Sequence, residues 1–248
     1  MRRIFAYFIS SLFITAPGLL KAQDTIVFPL KIKAGLELSG PAIYIANKKN
    51  LSAEGYVSYD LNQRTAMVLA GGFLNYEYSQ YNYDYHNKGI FFRVGPDFNL
   101  RNPEVASDKY WAGIGLRYGL SLFTTETPAF RQSNYWGVTE SSLPPLRSAA
   151  HFLEFTPGIR SEVFKNFSIG WSISLRMLLY NGTGKDNKPI YLPGFGKGDS
   201  KVSTGIGYYI MWSFPFKNIR YIVKPEPVEE PVEPTTPANA PGRLTPMR

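Results

Sequence analysis

Cysteine is absent from all 248 residues, and only two histidines are present. The missing thiols exclude zinc–thiolate centres and cysteine nucleophiles, and leave stability to come from something other than disulfides. A closed ladder of strands suffices for that, because it leaves no free edge. Also lacking, outside the N-terminus, is any apolar run of about 18 residues, so the mature chain has no candidate spanning helix. What is abundant instead is 17 Tyr, 17 Phe, 22 Gly and 19 Pro. That mixture favours strands and turns over helices.

Residues 1–22 read as a secretory signal. Arg2 and Arg3 form a basic start, Ile4 to Leu20 is mostly apolar, and Ala22 closes a cleavage site that leaves Gln23 first. No Cys follows the cut, which argues against a lipoprotein anchor. Residues 225–248 change character, with Pro225, Pro227, Pro231, Pro234, Pro237 and Pro241 and a repeated Pro-Val-Glu. This composition predicts an extended, disordered tail, reaching up to about 75 Å at roughly 3.1 Å per residue. The expected organisation is therefore a signal peptide at 1–22, one β domain at 23–224 and a Pro/Glu-rich periplasmic tail at 225–248.

The formal charge is +8. Removing Arg2, Arg3 and Lys21 leaves +5; the tail holds four Glu against Arg243 and Arg248, so residues 23–224 carry +7. The basic residues are scattered through strands and loops with no concentrated patch, which excludes nucleic acid as the expected partner. Anionic lipid and lipopolysaccharide phosphates are the expected counter-ions.

A period of two recurs along the chain, the mark of side chains alternating between the faces of a sheet. It is clearest at 201–216. There Val202, Thr204, Ile206, Tyr208, Ile210, Trp212, Phe214 and Phe216 oppose Ser203, Gly205, Gly207, Tyr209, Met211 and Ser213. Similar runs occupy 28–38, 51–61, 65–79, 89–100, 109–123, 151–164 and 167–180, making eight. In the first, Leu30, Ile32, Ala34, Leu36 and Leu38 share the apolar face. Gly71-Gly72 predicts a bend or a bulge within its strand, and Pro157 a bulge within its own. The connections alternate long and short, with long loops at 39–50, 80–88, 124–150 and 181–200. Asn62–Arg64 and Lys165-Asn166 form short turns, and Asn102-Pro103 lies in a turn of intermediate length.

One face of these strands is almost uncharged. The other carries Lys31, Glu37, Glu54, Asp60, Arg93, Asp97, Arg117, Glu154, Arg160 and Arg176, about one or two per strand. In a soluble eight-stranded barrel the apolar face looks inward and the exterior is charged. The opposite arrangement fits an up-and-down, eight-stranded antiparallel transmembrane β-barrel. Its narrow interior, with room only for side chains, is then filled by a charge network. An even strand number puts both ends of the barrel on the periplasmic side and the long loops outside the cell.

YWAGIGLRYGLSLF at 110–123, FKNFSIGWSISLRMLL at 164–179 and YLPGFGK at 191–197 resemble an uncharacterised family of Bacteroidetes outer-membrane barrel proteins, classed only as a domain of unknown function. The resemblance covers about 28–216 and stops before the tail. It implies a barrel and an outer-membrane address. It implies no activity, no cofactor and no catalytic residue.

Three readings of function follow. The leading one is a non-enzymatic structural or interaction protein whose outer loops bind a partner. Tyr81, Tyr83 and Tyr85 in loop 80–88, and Tyr135-Trp136 in loop 124–150, are the candidate contact residues. Tyr208, Trp212, Phe214 and Phe216 are expected to form an aromatic girdle at the periplasmic rim, with Phe216 in the signal read by the barrel assembly machinery. The tail is a candidate tether for a periplasmic partner. The second reading is a lipid-modifying enzyme such as a lipid A deacylase or palmitoyl transferase. That chemistry needs a serine nucleophile with a histidine base near the outer rim, and only His86 and His151, flanked in sequence by Ser79 and Ser148, are available. The third is a small pore, disfavoured by a charged and filled interior. The repeated Gly-Ile-Gly at 113–115 and 205–207 is no dinucleotide fingerprint, since no helix follows; it marks interior positions with little room.

Overall fold

In the computed structural model, residues 25–101, 109–184 and 188–222 are described; the predicted signal, the turn at Asn102-Pro103 and the Pro-rich tail lie outside them. The barrel is the unit Ile26–Tyr221. Its wall is made by β1 (Thr25–Glu37), β2 (Asn50–Asp60), β3 (Thr65–Ser79), β4 (Tyr83–Asn99), β5 (Tyr110–Asn134), β6 (Gly137–Phe164), β7 (Phe167–Asn181) and β10 (Val202–Ile222). These eight close in the order β1-β10-β7-β6-β5-β4-β3-β2, each antiparallel to its chain neighbour. Two further short strands, β8 (Tyr191–Leu192) and β9 (Gly196–Lys197), pair only with each other.

Closure fixes which face is which. Phe92, Leu116, Phe155, Leu175 and Ile206 all point outward and are exposed, while Arg93, Glu154 and Ser174 on the alternate positions are buried. From Ile32 round to Phe216, the outward positions over the middle of every wall strand hold no Asp, Glu, Lys or Arg. The apolar face is therefore the exterior, and the polar face lines the lumen.

Several expected details differ. Leu30 is buried, as is Lys31 beside it, so the alternation of β1 changes phase there, while Ile32, Ala34, Leu36 and Leu38 are exposed as expected. Gly71-Gly72 makes no bulge, because both ladders run through it in constant register. Glycine is required at 72 for a different reason: a Cβ there would lie 2.3 Å from the Ala53 carbonyl and 2.7 Å from the Phe91 ring lying across it. Pro157 also sits in register opposite Ile114. Its missing N–H is absorbed on the β7 side, where pairing skips 156 and 157 without a shift; the irregularities fall at His151/Phe152 and Glu162/Phe164.

The long connections hold most of the structure that was unforeseen. Loop 39–50 contains a helix, α1 (Ser39–Ala46), whose first N–H groups are met by Glu37: its carboxylate accepts from Ser39 N at 2.9 Å and Gly40 N at 3.0 Å. Loop 80–88 shrinks to a tight connection, because β4 begins at Tyr83. Loop 124–150 is a hairpin, with β5 and β6 paired out to Asn134↔Gly137 around a Tyr135-Trp136 turn. The prolines that suggested a loop, Pro128, Pro144 and Pro145, fall where that ladder shifts register. By contrast, the Lys165-Asn166 turn is as short as expected, with Asn166 at φ 64°. Its amide side chain makes Asn one of the few residues that tolerate that region. The last strand runs past Phe216 to Ile222, so the run Trp212, Phe214 and Phe216 ends short of the strand's own end.

Candidate functional site

The lumen is organised on Glu154, which β6 buries to 2% exposure. Its carboxylate accepts from Arg93 Nη1 at 2.5 Å, Arg176 Nε at 2.6 Å, Arg117 Nη1 at 3.3 Å and Thr156 Oγ1 at 3.0 Å. Three guanidinium groups from β4, β7 and β5 thus meet one acid. Two more carboxylates balance them: Glu54 on β2 pairs with Arg93, and Asp97 on β4 accepts from Arg117 Nη2 at 2.9 Å. Three cations face three anions, so the cluster is neutral. Isolated charges at this depth would be expensive, and pairing is what makes them tolerable.

Toward the other end of the barrel, Lys33 pairs with Asp60 at 2.6 Å and Lys31 with Glu162 at 3.2 Å. Arg160 lies over the Trp111 ring, 4.9 Å from its centroid, with Nη1 3.5 Å from Met211 Sδ. Every candidate of the interior charge set, Lys31, Glu37, Glu54, Arg93, Asp97, Arg117, Glu154, Arg160 and Arg176, therefore lies on the lumen face. All but Arg160 and Glu37 join an ion pair among the described residues.

The lumen is not filled by those side chains. A chamber of about 750 Å³ remains, lined by Glu37, Tyr56, Arg117, Arg160 and Ser172 among others. The space exists because β7 and β10 present Ser172, Ser174, Ser203, Gly205 and Gly207 to the interior. Gly113 and Gly115 are the crowded pair, with Trp111 and Asp97 where a Cβ would go (2.6 and 2.4 Å); at Gly205 and Gly207 the nearest atoms are 3.3 and 3.4 Å away.

Above the Glu154 cluster the lumen is stoppered by the segment carrying β8 and β9. Leu192 and Phe195 are fully buried against Phe123, Ala150 and Phe152, with Phe152 and Phe195 centroids 5.6 Å apart. Arg176 Nη1 donates to the Phe195 carbonyl at 3.3 Å, Asn87 Nδ2 donates to the Tyr191 carbonyl, and Ile190 N donates to the Tyr85 hydroxyl at 3.2 Å. Gly194, at φ 71°, has the Phe91 ring 2.5 Å from where its Cβ would be, so only glycine fits. The YLPGFGK stretch that carried the family resemblance is thus an internal plug. Two apolar residues and a proline framed by glycines were its sequence signal, but with no period of two or 3.6 to assign them a face.

The candidate contact residues divide. Tyr85 is a strand residue turned into the lumen and buried against the plug, so it belongs to the plug's support and offers no outer surface; Tyr83, at the start of β4, is half-buried with its ring 5.8 Å from that of Tyr78. Tyr81 is exposed at the β3–β4 connection. Tyr135 and Trp136 are 94% and 89% exposed at the hairpin tip, in edge contact at 5.3 Å. Arg131 braces the hairpin: its Nε donates to Glu140 at 2.5 Å, a bond that raises the guanidinium pKa, and its Nη1 donates to the Tyr81 carbonyl at 3.3 Å. Tyr208, Trp212, Phe214 and Phe216 all face outward; Trp212 contacts Phe167 at 5.6 Å and Phe216 stacks on Tyr59 at 5.0 Å.

Both histidines face outward as well. His151 Nδ1 shares a 2.6 Å hydrogen bond with the Tyr118 hydroxyl, and His86 Nδ1 lies 3.4 Å from Glu126. Ser79 hydrogen-bonds Asp84 instead. Among the described residues no histidine bonds a serine, and no cluster of three His, Asp or Glu groups is placed to hold a metal.

An antiparallel eight-stranded barrel with an apolar exterior, a paired-charge lumen and an internal plug defines the class. Within it, the chain belongs to the family described as Domain of unknown function (DUF6048), whose model matches residues 2–219. Among solved structures, the chain is similar to Ail, the attachment invasion locus protein of Yersinia pestis (11% identity, TM-score 0.36, 76% of this chain and 98% of that one). It is also similar to Neisserial surface protein A (13% identity, TM-score 0.36, 77% and 99%) and to the N-terminal β-barrel domain of Pseudomonas aeruginosa OprF (12% identity, TM-score 0.31, 77% and 98%). No curated protein sequence matches the chain.

Proposed function

We propose that this is a small outer-membrane barrel with a non-enzymatic structural or interaction role, exposing its β5–β6 hairpin as the contact surface. The carrying observation is that hairpin. Its strands stay paired from Thr125 to Asn134, roughly 30 Å at about 3.4 Å per residue, and end in two aromatics exposed to solvent. Exposed Tyr and Trp on a braced element supply contact area at small entropic cost. The uncharged belt of outward side chains supports a membrane setting, since lipid tolerates such a surface and water does not. In this reading residues 1–22 are removed on export and residues 225–248 lie in the periplasm.

Absence of cysteine makes the orientation easy to test. A Tyr135→Cys variant is expected to react with a membrane-impermeant maleimide on intact cells, and a Lys165→Cys variant only after the outer membrane is permeabilised. The reverse pattern would invert the proposed topology. The lipid-modifying alternative draws no support from the two histidines, which have no serine partner among the described residues.

A further inference from the structure

On the outer face, at the end of the barrel that carries α1, the plug and the hairpin, the apolar belt stops at one row of residues. Phe73, Ile90, Leu122 and Ala149 are consecutive cross-strand partners on β3, β4, β5 and β6. The next outward row is Asn75, Lys88, Thr124 and Arg147, again in unbroken register. Lys88 and Arg147 are exposed, and among the described residues neither has a carboxylate within ion-pair distance. They stand two strands apart, about 10 Å at roughly 4.8 Å per strand, with the Thr124 hydroxyl between them. Both side chains are long and flexible enough to converge on one group.

We infer that this row binds the phosphate of a membrane lipid, resting on the membrane setting proposed above. The height of the row selects the ligand. A cation one pleat above the last apolar residue sits where the acyl chains end and headgroup phosphates begin. Acyl chains then lie on Phe73, Ile90 and Leu122, while Lys88, Thr124 and Arg147 take the phosphate oxygens as two cationic donors and a hydroxyl donor. The carboxylates nearby are one pleat farther out: Glu77 lies opposite His86, and Glu126 is engaged with His86 at 3.4 Å. Cations at the opposite end, such as Lys165 and Arg101, sit on turns or at strand ends and form no row of this kind.

The test uses the purified full-length barrel in an uncharged detergent, with bound lipid counted by native mass spectrometry. Diphosphorylated lipid A, the same lipid with its phosphates removed, and inorganic phosphate are the three probes. The wild-type protein is expected to retain the phosphorylated lipid over the dephosphorylated one, and Lys88→Gln/Arg147→Gln is expected to lower that retention roughly tenfold or more. Millimolar inorganic phosphate should not displace the lipid. Equal retention of both lipids, or a double variant that binds as wild type, would overturn the site; displacement by inorganic phosphate would make it a free-anion site. Heat-modifiable gel mobility, read on the same samples, separates the two claims. A protein that stays soluble without detergent refutes the membrane setting, whereas a detergent-dependent barrel blind to phosphate refutes only the lipid site.

Discussion

At the scale of single residues, Glu154 carries the strongest expectation. Truncation to Ala leaves Arg93, Arg117 and Arg176 facing one another in the lumen with two acids between them. Breaking one side of a buried ionic cluster typically costs about 3–5 kcal/mol, so Glu154→Ala should lower the denaturant midpoint by that equivalent in micelles or vesicles. An unchanged midpoint would mean that water in the chamber solvates the three cations. Glycines supply a second contrast. A Cβ on Gly119 would lie 2.3 Å from the Phe152 ring, whereas one on Gly55 would meet nothing nearer than 3.6 Å. Gly119→Ala should therefore cost about 1–3 kcal/mol through overpacking, and Gly55→Ala should change the same midpoint by less than about 0.5 kcal/mol. The lumen-facing charges were legible in the sequence, because alternation alone sorts them from Phe92 or Leu116. Which acid pairs with which base was not, since partners lie 20 to 131 residues apart.

At the scale of elements, the plug and the hairpin differ from the wall in how they are encoded. The wall strands advertise themselves by period, while residues 188–200 are held by apolar burial and three polar anchors, none of which leaves a period in the sequence. Phe195→Ala should loosen that segment, at a cost of about 3–5 kcal/mol of packing. Limited trypsin digestion reads this directly: cleavage after Lys197 is expected to be faster than in the wild type, with the barrel band otherwise intact. Protection equal to wild type would show that the three polar anchors from Asn87, Tyr85 and Arg176 suffice. The hairpin was missed for the opposite reason. Its prolines are loop signals, yet each falls at a shift in the ladder where a missing N–H is harmless.

For the whole molecule, the two faces of one strand make the membrane setting measurable. Leu175 points outward at the middle of β7, and Ser172 on the same strand lines the chamber. Leu175→Arg should destabilise the barrel in vesicles by about 2–4 kcal/mol, while Ser172→Lys, entering a polar space, should cost far less. Equal effects would argue against lipid outside. The count of eight strands, their order and the outward apolar face all followed from a period of two repeated eight times. What the pattern did not hold was the free volume inside, because serine and glycine at alternate positions read as polar filling when they are in fact gaps.

The plug is also the connection between β7 and the final wall strand β10, which meets β1 at Leu38 N–Tyr208 O. A stopper delivered by the linker into the last stave finds its seat most easily while the cask is still open. On that expectation residues 188–200 settle against Phe123 and Phe152 before or while the β1–β10 seam zips, and act as a mandrel round which the cylinder is wrapped. Folding of the wall and seating of the stopper become one kinetic event, and a Phe195→Ala chain should close its seam more slowly when refolded into vesicles, even where its finished cylinder has the same mobility.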